Sequence, residues 1–444
     1  MSLRSKLSRL SAPAGAPASP EARVPAEAAA DRAELLDRLR ARMQAALERS
    51  APRPLPLPRV DTCELPFVTS DTPLGPLHVR TQRLSASHRT GHAPVVYARD
   101  ASPELLALLA LDPGLASCDP SRALFLDTET TGLAGGAGTV AFLVGLAWWD
   151  GGCLVLEQLL VRALGEEAPM LERLRTRIAA ASMLVTFNGK SFDLPLLRTR
   201  FVMAGMTPPG EPPHLDLLHV ARRVHKERSR RSAGACRLVA LERDILGFER
   251  VDDVASGDVS ACYLHFLWTG DARGLLGVIE HNTWDVVAMV ALVGLYGEPL
   301  AGQSRLSPAD LAGVARTIRR AGALDRAMEI AEVAVVRSAG DASHEPLRAR
   351  ADIAKARGDR AQALADFEAL AAAVDDPSVR LELAKLFEHW VGAPARALEW
   401  ATQGTGETPE GLEKRTCRLV RKAEKGTGQG TLRLRAPRMT PGGS

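Results

Sequence analysis

The sequence is poor in cysteine, and none of its cysteines are spaced as a close pair. The 444 residues include six cysteines, which are scattered and form no C-x-x-C motif, so neither a zinc site nor a disulfide framework is indicated. The first twenty residues lack the apolar segment of a secretory signal peptide. The longest apolar run, residues 286–296, is too short to span a bilayer. These absences predict a cytoplasmic protein with reduced thiols and no membrane partner.

An excess of charge of either sign is also missing. The net charge is only +3, so any affinity for nucleic acid must come from local basic patches. The hydrophobic fraction of 46% and the charged fraction of 25% are those of an ordinary globular protein. Because single cores rarely exceed about 250–300 residues, a chain of this length predicts more than one domain.

Composition divides the chain into four segments. Residues 1–58 are rich in Pro and Ala and are predicted to be disordered, except for one amphipathic helix over residues 31–50. Residues 59–300 alternate between strand and helix patterns. Residues 301–412 are rich in Ala and carry no strand signal. Residues 413–444 are basic and are predicted to form a flexible tail.

The alternating segment predicts an α/β domain. Residues 139–149 and 153–160 have strand patterns separated by Asp-Gly-Gly, which is typical of a hairpin turn. Buried strands are expected over residues 123–127 and 183–187, and a helix over residues 169–181. Early antiparallel strands followed by β/α alternation indicate a mixed sheet flanked by helices.

The Ala-rich segment contains a repeated pattern. Gly322, Gly358 and Gly392 lie 36 and then 34 residues apart, and each precedes an amphipathic helix pattern. This period is close to the ~34 residues of a tetratricopeptide helix-turn-helix unit. An irregular Ala-rich helical bundle is the alternative. We favour tetratricopeptide-like repeats, which predict a protein partner for this region.

Two acidic residues follow the first buried strand of the α/β segment. Asp127 and Glu129 are two residues apart, so they point to the same face of a strand. Neighbouring carboxylates repel each other, and a divalent cation relieves that repulsion because hard cations prefer oxygen ligands. The alternative is a strand end followed by a Thr/Gly turn, with both acids in water.

Two further acidic elements occur later in the chain. Asp193 follows a buried strand and a turn beginning at Asn188, at a position where a helix begins; it could instead be a simple N-cap. His281 and Asp285 are four residues apart in an apolar helix pattern and share one helix face. A buried acid without a partner is costly, although a surface His–Asp pair is the alternative for these two residues.

Taken together and in this order, the three elements resemble the DEDD-type exonucleases of the RNase H-like superfamily. That family carries D-x-E on its first strand, N-x-x-F-D after a later strand, and a third Asp on a late helix. A closer resemblance is to a bacterial group called YprB-like, in which an RNase H-like domain is joined to tetratricopeptide-type repeats. Residues 125–136 resemble its first motif, and residues 237–247 resemble its middle segment.

The resemblance implies two divalent cations, Mg²⁺ or Mn²⁺, that clamp the attacking and leaving oxygens of a phosphodiester. His281 is the candidate general base, and the alternative is that it only orients water or phosphate. His281 lies four residues before the last Asp, whereas the His-type members of the family place it five residues before, so this role stays open. The cation ligands that the resemblance implies are Asp127, Glu129, Asp193 and Asp285.

Several further residues are candidate substrate contacts. A basic run from Arg222 to Arg231 suits contact with phosphate groups, although a solvated surface is the alternative reading. Asp216, which follows another strand pattern, is expected to have a structural role. The predicted function is a 3′→5′ exonuclease acting on RNA or DNA, and an endonuclease stays open because it would use the same metal chemistry. The alternative from another class is a non-catalytic scaffold that binds nucleic acid and recruits a partner through the repeats. The predicted substrate contacts are Thr130, Asn188, Lys190, Arg222 and Arg223.

Overall fold

The computed structural model describes residues 64–132, 138–298, 306–339 and 344–426. These residues belong to one compact unit. The disordered segment and amphipathic helix predicted within residues 1–58 lie outside the described residues. In the described part, an α/β region comes first and a helical region follows it.

The centre of the α/β region is a seven-stranded mixed sheet, accompanied by a small two-stranded hairpin. The strands are β1 (Val68–Thr72), β2 (Gly75–Leu84), β3 (Arg89–Thr90), β4 (Ala93–Pro94), β5 (Ala123–Thr130), β6 (Ala141–Asp150), β7 (Cys153–Leu160), β8 (Met183–Thr186) and β9 (His214–Asp216). The order in the large sheet is β1-β2-β7-β6-β5-β8-β9. Neighbours from β1 to β5 pair antiparallel, and β5, β8 and β9 pair parallel. The predicted mixed sheet is therefore confirmed.

Helices pack on both faces of this sheet. Three apolar clusters carry the packing. One lies between the sheet and the helices Ala168–Ala180 and Asp193–Met203, and the other two include side chains of the helix Arg273–Gly297. The helices of this region are α1 (Val96–Arg99), α2 (Pro103–Ala110), α3 (Ala168–Ala180), α4 (Asp193–Met203), α5 (Leu217–Val224), α6 (Lys226–Arg231), α7 (Leu238–Leu241), α8 (Val259–Thr269) and α9 (Arg273–Gly297). A single π-helical turn, Glu242–Leu246, follows α7.

Helix α9 is the longest of these helices, with 25 residues. By length and composition it could cross a membrane, but 72% of its most apolar 18-residue window is buried within the fold. The helix packs against β5 and β6. Burial in the core therefore explains why this helix is so apolar, because a helix packed against a sheet and a helix in a bilayer both need apolar side chains.

The helical region consists of consecutive helices that contact their neighbours in the chain. Its helices are α10 (Pro308–Arg320), α11 (Leu324–Arg337), α12 (Glu345–Arg357), α13 (Arg360–Ala373), α14 (Pro377–Leu386), α15 (Pro394–Thr402) and α16 (Pro409–Gly426). Gly322, Gly358 and Gly392 all have positive φ, which glycine adopts at low cost. Each precedes the second helix of a pair. Their assignment as tetratricopeptide units stays a prediction.

The segment predicted as a flexible basic tail differs from the structure over residues 413–426. These residues continue helix α16. Arg418 and Lys422 bond to the carboxylate of Glu388 at 2.7 and 2.8 Å. The tail prediction was wrong here, because it counted the basic charges without their partner about thirty residues earlier. Residues 427–444 lie outside the described part.

The two regions meet at a buried polar contact. His225, directly after α5, is bonded through Nδ1 to Asp310 of α10 at 2.8 Å and through Nε2 to the Tyr296 hydroxyl at 2.9 Å. Arg228 donates to the same Asp310 carboxylate. At Gly313 of α10, an added Cβ would lie 1.9 Å from the carbonyl oxygen of Val224. The helical region therefore packs directly on the helix that follows β9.

Candidate active site

Strand β5 carries Asp127 and Glu129 on one face of the sheet. Side chains alternate along a strand, so Thr128 between them faces the other side. The ladder with β6 is irregular between Glu129 and Thr130, and such bulges bend the end of a strand. The predicted strand is confirmed, and the alternative of two acids in water does not hold for Glu129, which is buried.

A glycine opposite Asp127 lets helix α9 approach the sheet. Gly145 is the cross-strand partner of Asp127, and a Cβ added there would lie 2.2 Å from the Asn282 side-chain oxygen. Asn282 is fully buried, and its Nδ2 donates to Asp127 Oδ2 at 2.9 Å. The absent side chain at Gly145 thus allows an amide on α9 to orient the first carboxylate.

Asp193 reaches the site from the other face of the sheet. It is the first residue of α4 and is only 4% exposed. Its carboxylate accepts a hydrogen bond from the Thr128 hydroxyl. The position before the helix is occupied by Phe192, so Asp193 is not the N-cap that was the alternative reading.

The loop before Asp193 is held by Asp216. The Asp216 carboxylate accepts hydrogen bonds from the backbone N–H groups of Asn188 at 2.9 Å and Lys190 at 3.1 Å. Asn188 has a positive φ of 71°, which is uncommon outside glycine. This agrees with the structural role expected for Asp216, because its bonds fix the turn that presents Asp193.

Helix α9 supplies the last two predicted residues. One ligand atom from each of Glu129, His281 and Asp285 lies within 4.8 Å of the others. His281 is 5% exposed, and its Nε2 lies 3.5 Å from Asp285 Oδ2. The alternative of a surface His–Asp pair is therefore wrong, because the helix turns this face toward the sheet.

Two residues that the sequence analysis did not single out complete this side of the site. Asp253 Oδ1 lies 2.7 Å from His281 Nδ1, a contact that favours a proton on Nδ1 and directs Nε2 toward the carboxylates. Arg250 donates to Asp285 Oδ1 and to both oxygens of Glu242. Both come from an irregular segment after the π-helical turn, where no periodic pattern marks a buried residue.

The acidic residues perturb one another strongly. Burial raises the pKa of Asp127 well above its usual range, and the charges of Asp285, Glu129 and Asp193 raise it further, while the Asn282 amide lowers it. Burial, and then Asp285, raise the pKa of Glu129 to about 8. Burial also raises the pKa of Asp193 to about 6, against the Thr128 hydrogen bond, which lowers it. This is the pattern of carboxylates with too little positive charge nearby.

A divalent cation fits this donor set. The oxygens of Asp127, Glu129, Asp193 and Asp285 are hard ligands of the kind that Mg²⁺ and Mn²⁺ prefer. A cation among them would offset the repulsion that raises these pKa values. A ring nitrogen of His281 lies within 4.8 Å of carboxylate oxygens of Glu129 and Asp285, so His281 could be a further ligand or a base. These four carboxylates, which the family resemblance implies as ligands, are residues that could hold cations here, and their role as ligands stays a prediction.

A cavity of about 1030 Å³ opens beside the carboxylates. Its lining includes Asp127, His281 and Asp285, together with two of the predicted substrate contacts, Asn188 and Arg222. Arg237, which was not predicted as a contact, lines it as well. Among the described residues, neither arginine has an ion-pair partner. The apolar part of the wall includes Phe187, Leu218, Leu238 and Val239.

The other predicted substrate contacts lie elsewhere. The Thr130 hydroxyl donates to the Gly132 carbonyl at 3.0 Å, and Thr130 is buried. Arg223 donates twice to the Leu109 carbonyl oxygen. The geometry thus gives Thr130 and Arg223 structural roles, because local and tertiary backbone acceptors occupy their donors. Lys190 is exposed on the turn before Asp193, outside the lining of the cavity.

The fold and the acidic site define the class of the protein, and comparison with known proteins agrees with it. A family model described as the RNase_H superfamily (RNase_H_2) matches residues 124–296. This range runs from β5 to the end of α9 and contains all four carboxylates. The chain therefore contains a nucleic-acid-processing domain of the RNase H superfamily.

Similarity to an individual protein assigns the chain to a narrower group within this superfamily. The chain is 30% identical over 305 residues to the protein YprB of Bacillus subtilis (strain 168), and the match covers 66% of this chain and 72% of YprB. The chain belongs to the YprB group of the RNase H superfamily. The assignment to the DEDD subtype stays a prediction.

Proposed function

We propose that this protein is a nuclease that hydrolyses phosphodiester bonds with two divalent cations, Mg²⁺ or Mn²⁺, as a 3′→5′ exonuclease. The observation that carries the proposal is the convergence of Asp127, Glu129, Asp193 and Asp285: the charges of the other three all act on Asp127. Asp127 and Asp285 also line a large cavity. The direction of attack rests on the resemblance to DEDD-type exonucleases.

The carboxylates would hold the cations, and neighbouring groups keep the carboxylates in place. When bound, such cations lower the pKa of water and stabilise charge on the attacking and leaving oxygens. Asn282 holds one oxygen of Asp127, and the Thr128 hydroxyl holds Asp193. Partners of this kind orient ligands so that little reorganisation is needed when a cation binds.

His281 is placed to move a proton. Asp253 Oδ1 lies 2.7 Å from Nδ1 and accepts its proton, which leaves the Nε2 lone pair of the neutral ring 3.5 Å from Asp285 Oδ2. Burial lowers the pKa of His281, but Asp285, Glu129 and Asp253 outweigh it and raise the pKa overall. Nε2 would accept the proton of the attacking water in this proposal, with Asp253 stabilising the imidazolium.

The cavity suits a nucleotide chain. Arg222 and Arg237 offer guanidinium groups for phosphate oxygens, at a wall shared with the carboxylates. Phe187, Leu218 and Leu238 provide an apolar surface against which an unpaired base can pack. Binding that depends on these arginines should weaken as salt increases, because counterions are released from the phosphates.

Hydrolysis of end-labelled RNA and DNA with Mg²⁺ or Mn²⁺ tests the proposal. We expect Asp127→Asn to reduce the rate by about 10³-fold or more, because the cations would lose a shared ligand. Asp325→Asn is the matched control, since Asp325 is exposed in the helical region and its change should leave the rate intact. Equal rates for wild type and Asp127→Asn would reject the nuclease proposal.

We propose, as the alternative, a non-catalytic scaffold that binds nucleic acid and recruits a protein through the helical region. Exposed apolar side chains such as Val336 and Trp390 support a contact surface there. The two proposals differ in their response to metal: a scaffold should gain little stability from Mn²⁺, whereas cation binding raises the melting temperature. A cytoplasmic location stays a prediction from the sequence.

A further inference from the structure

Four residues form one row across the sheet, under helix α9. Arg80 of β2 pairs with Gln158 of β7. Gln158 in turn pairs with Gly145 of β6, and Gly145 pairs with Asp127 of β5. Because cross-strand partners point to the same face of a sheet, the side chains of Arg80, Gln158 and Asp127 share the face that α9 covers. Gly145 leaves a gap in this row, directly beside Asp127.

The side chain of Asn282 fills that gap. Neighbouring strands lie about 4.8 Å apart, so Gln158 and Asp127 are separated by about 10 Å and need an intermediate to interact. Gln158 Nε2 donates to Asn282 Oδ1 at 3.0 Å, and Asn282 Nδ2 donates to Asp127 Oδ2 at 2.9 Å. Gln158 is 1% exposed and Asn282 is 0% exposed, so solvent does not compete for these hydrogen bonds.

Arg80 sets the direction of this chain of hydrogen bonds. Arg80 Nη1 donates to Gln158 Oε1 at 2.6 Å and to the Thr283 hydroxyl of α9 at 3.3 Å. A guanidinium has only donors, and an ionised carboxylate has only acceptors. Both amides between them must therefore turn their oxygen toward Arg80 and their NH₂ group toward Asp127.

We propose that Arg80 and Gln158 are positioning residues of the active site, which act through Asn282 to hold the carboxylate of Asp127. We call the chain Arg80–Gln158–Asn282 the relay. The inference rests on the proposed nuclease function and deepens it, because it assigns two distant residues to the support of one candidate cation ligand. Without the relay, Asn282 is free to turn its oxygen toward Asp127, and two oxygens in contact repel each other.

The asparagine content of the chain makes the relay directly observable. The sequence has only two asparagines, Asn188 and Asn282, so labelling with ¹⁵N-asparagine gives two pairs of side-chain amide signals in NMR spectra. Asn188→Gly assigns the two pairs. We expect Arg80→Met to shift the Asn282 pair and to speed its exchange with solvent, although the guanidinium of Arg80 is bonded to Gln158.

Mn²⁺ titration by calorimetry, on full-length protein without substrate, tests the effect on the site. Arg80→Met should weaken Mn²⁺ binding by about threefold to tenfold, and Gln158→Met, which changes no charge, by about tenfold. The direction is diagnostic, because the loss of a positive charge would by itself strengthen the binding of a cation. Arg83→Met is the matched control in both experiments. Arg83 lies on the same strand and pairs with the exposed Asp150, so its loss should change neither readout.

Unchanged Asn282 signals in Arg80→Met would overturn the inference, and so would unchanged or tighter Mn²⁺ binding. If Arg80→Met does not fold, Gln158→Met gives both readouts by removing the next member of the relay. If wild type itself binds no Mn²⁺, the proposed nuclease function fails, and the NMR spectra still decide whether the relay exists.

Discussion

The active site and the helical region bury carboxylates in opposite ways. In the helical region, Glu388 is surrounded by Arg418, Lys422 and Arg415. Hydrogen bonds from Arg418 lower the pKa of Glu388 to about 2. In the active site, burial and neighbouring acids raise the pKa of Glu129 to about 8. The same functional group is stabilised as an anion in one region and destabilised as an anion in the other.

The difference separates structural acids from candidate ligands. A buried carboxylate whose charge is fully offset by several cationic partners, as that of Glu388 is, gains little from a metal ion. One that lacks them destabilises the fold unless an external cation binds. Asp310 follows the structural pattern, because His225 and Arg228 outweigh burial and lower its pKa. Asp127 and Asp193 follow the other pattern.

The largest expected effect is stabilisation of the active site by Mn²⁺. At about a hundredfold excess over the dissociation constant, each bound cation should raise the free energy of unfolding by about 2.7 kcal/mol. Asp127→Asn should remove most of this gain, whereas Glu388→Gln should keep it. Thermal melts with and without Mn²⁺ measure both. If Mn²⁺ raised the melting temperature of wild type and Asp127→Asn equally, the active-site carboxylates would not differ from Glu388 in the way described here.

Gly145 offers a second test, because it allows α9 to reach the site. We expect Gly145→Val to destabilise the protein by about 1–3 kcal/mol through overpacking and to reduce Mn²⁺ affinity, since Asn282 must move away from Asp127. Gly210→Ala is the control, because an added Cβ there meets no described atom within 4 Å. Calorimetry and thermal melts give the two readouts. Unchanged Mn²⁺ affinity in Gly145→Val would show that the Asn282 contact is dispensable.

Neutralising one acid in each region should change stability in opposite directions. In EDTA, Glu388→Gln should lower the free energy of unfolding by about 1–2 kcal/mol, a modest loss because its cationic partners are partly exposed. Glu129→Gln should raise it by about 1 kcal/mol by relieving repulsion. Chemical denaturation of the two variants beside wild type checks the signs. If both variants changed the free energy of unfolding in the same direction, the distinction between structural acids and candidate ligands would be contradicted.

The smallest expected effect is a loss of stability in acid. The pKa values of Glu388 and Glu407 are both lowered to about 2, chiefly by hydrogen bonds from Arg418 and Arg415, against a reference of 4.5. A lowered folded-state pKa gives stability that is present above pH 4.5 and is lost as the pH falls toward 2. Denaturation between pH 5 and pH 2 should show a shallower loss in Glu388→Gln than in wild type.

The sequence predicts the parts of the site that local patterns encode. Alternation along a strand was enough to place Asp127 and Glu129 on one face, and helical spacing was enough to pair His281 with Asp285. That these residues lie close to Asp193 was predicted from the family resemblance alone. No local sequence pattern indicates a contact between segments so far apart in the chain.

The rest of the site depends on contacts between distant segments. Arg250 and Asp253 lie in an irregular segment, and their partners come from α9 and the π-helical turn. Gly145 matters because the Asn282 side chain of α9 packs against its backbone. The strand pattern around Gly145 gives no sign of that contact. The prediction of a flexible tail over residues 413–426 was wrong for the same reason. It missed the contact between Arg418 and Glu388, which lies thirty positions earlier.

Anomalous diffraction from crystals grown with Mn²⁺ tests the central claim most directly. The account predicts anomalous peaks among the oxygens of Asp127, Glu129, Asp193 and Asp285. Crystals with no peak at these carboxylates, while Mn²⁺ binds elsewhere on the protein, would contradict it.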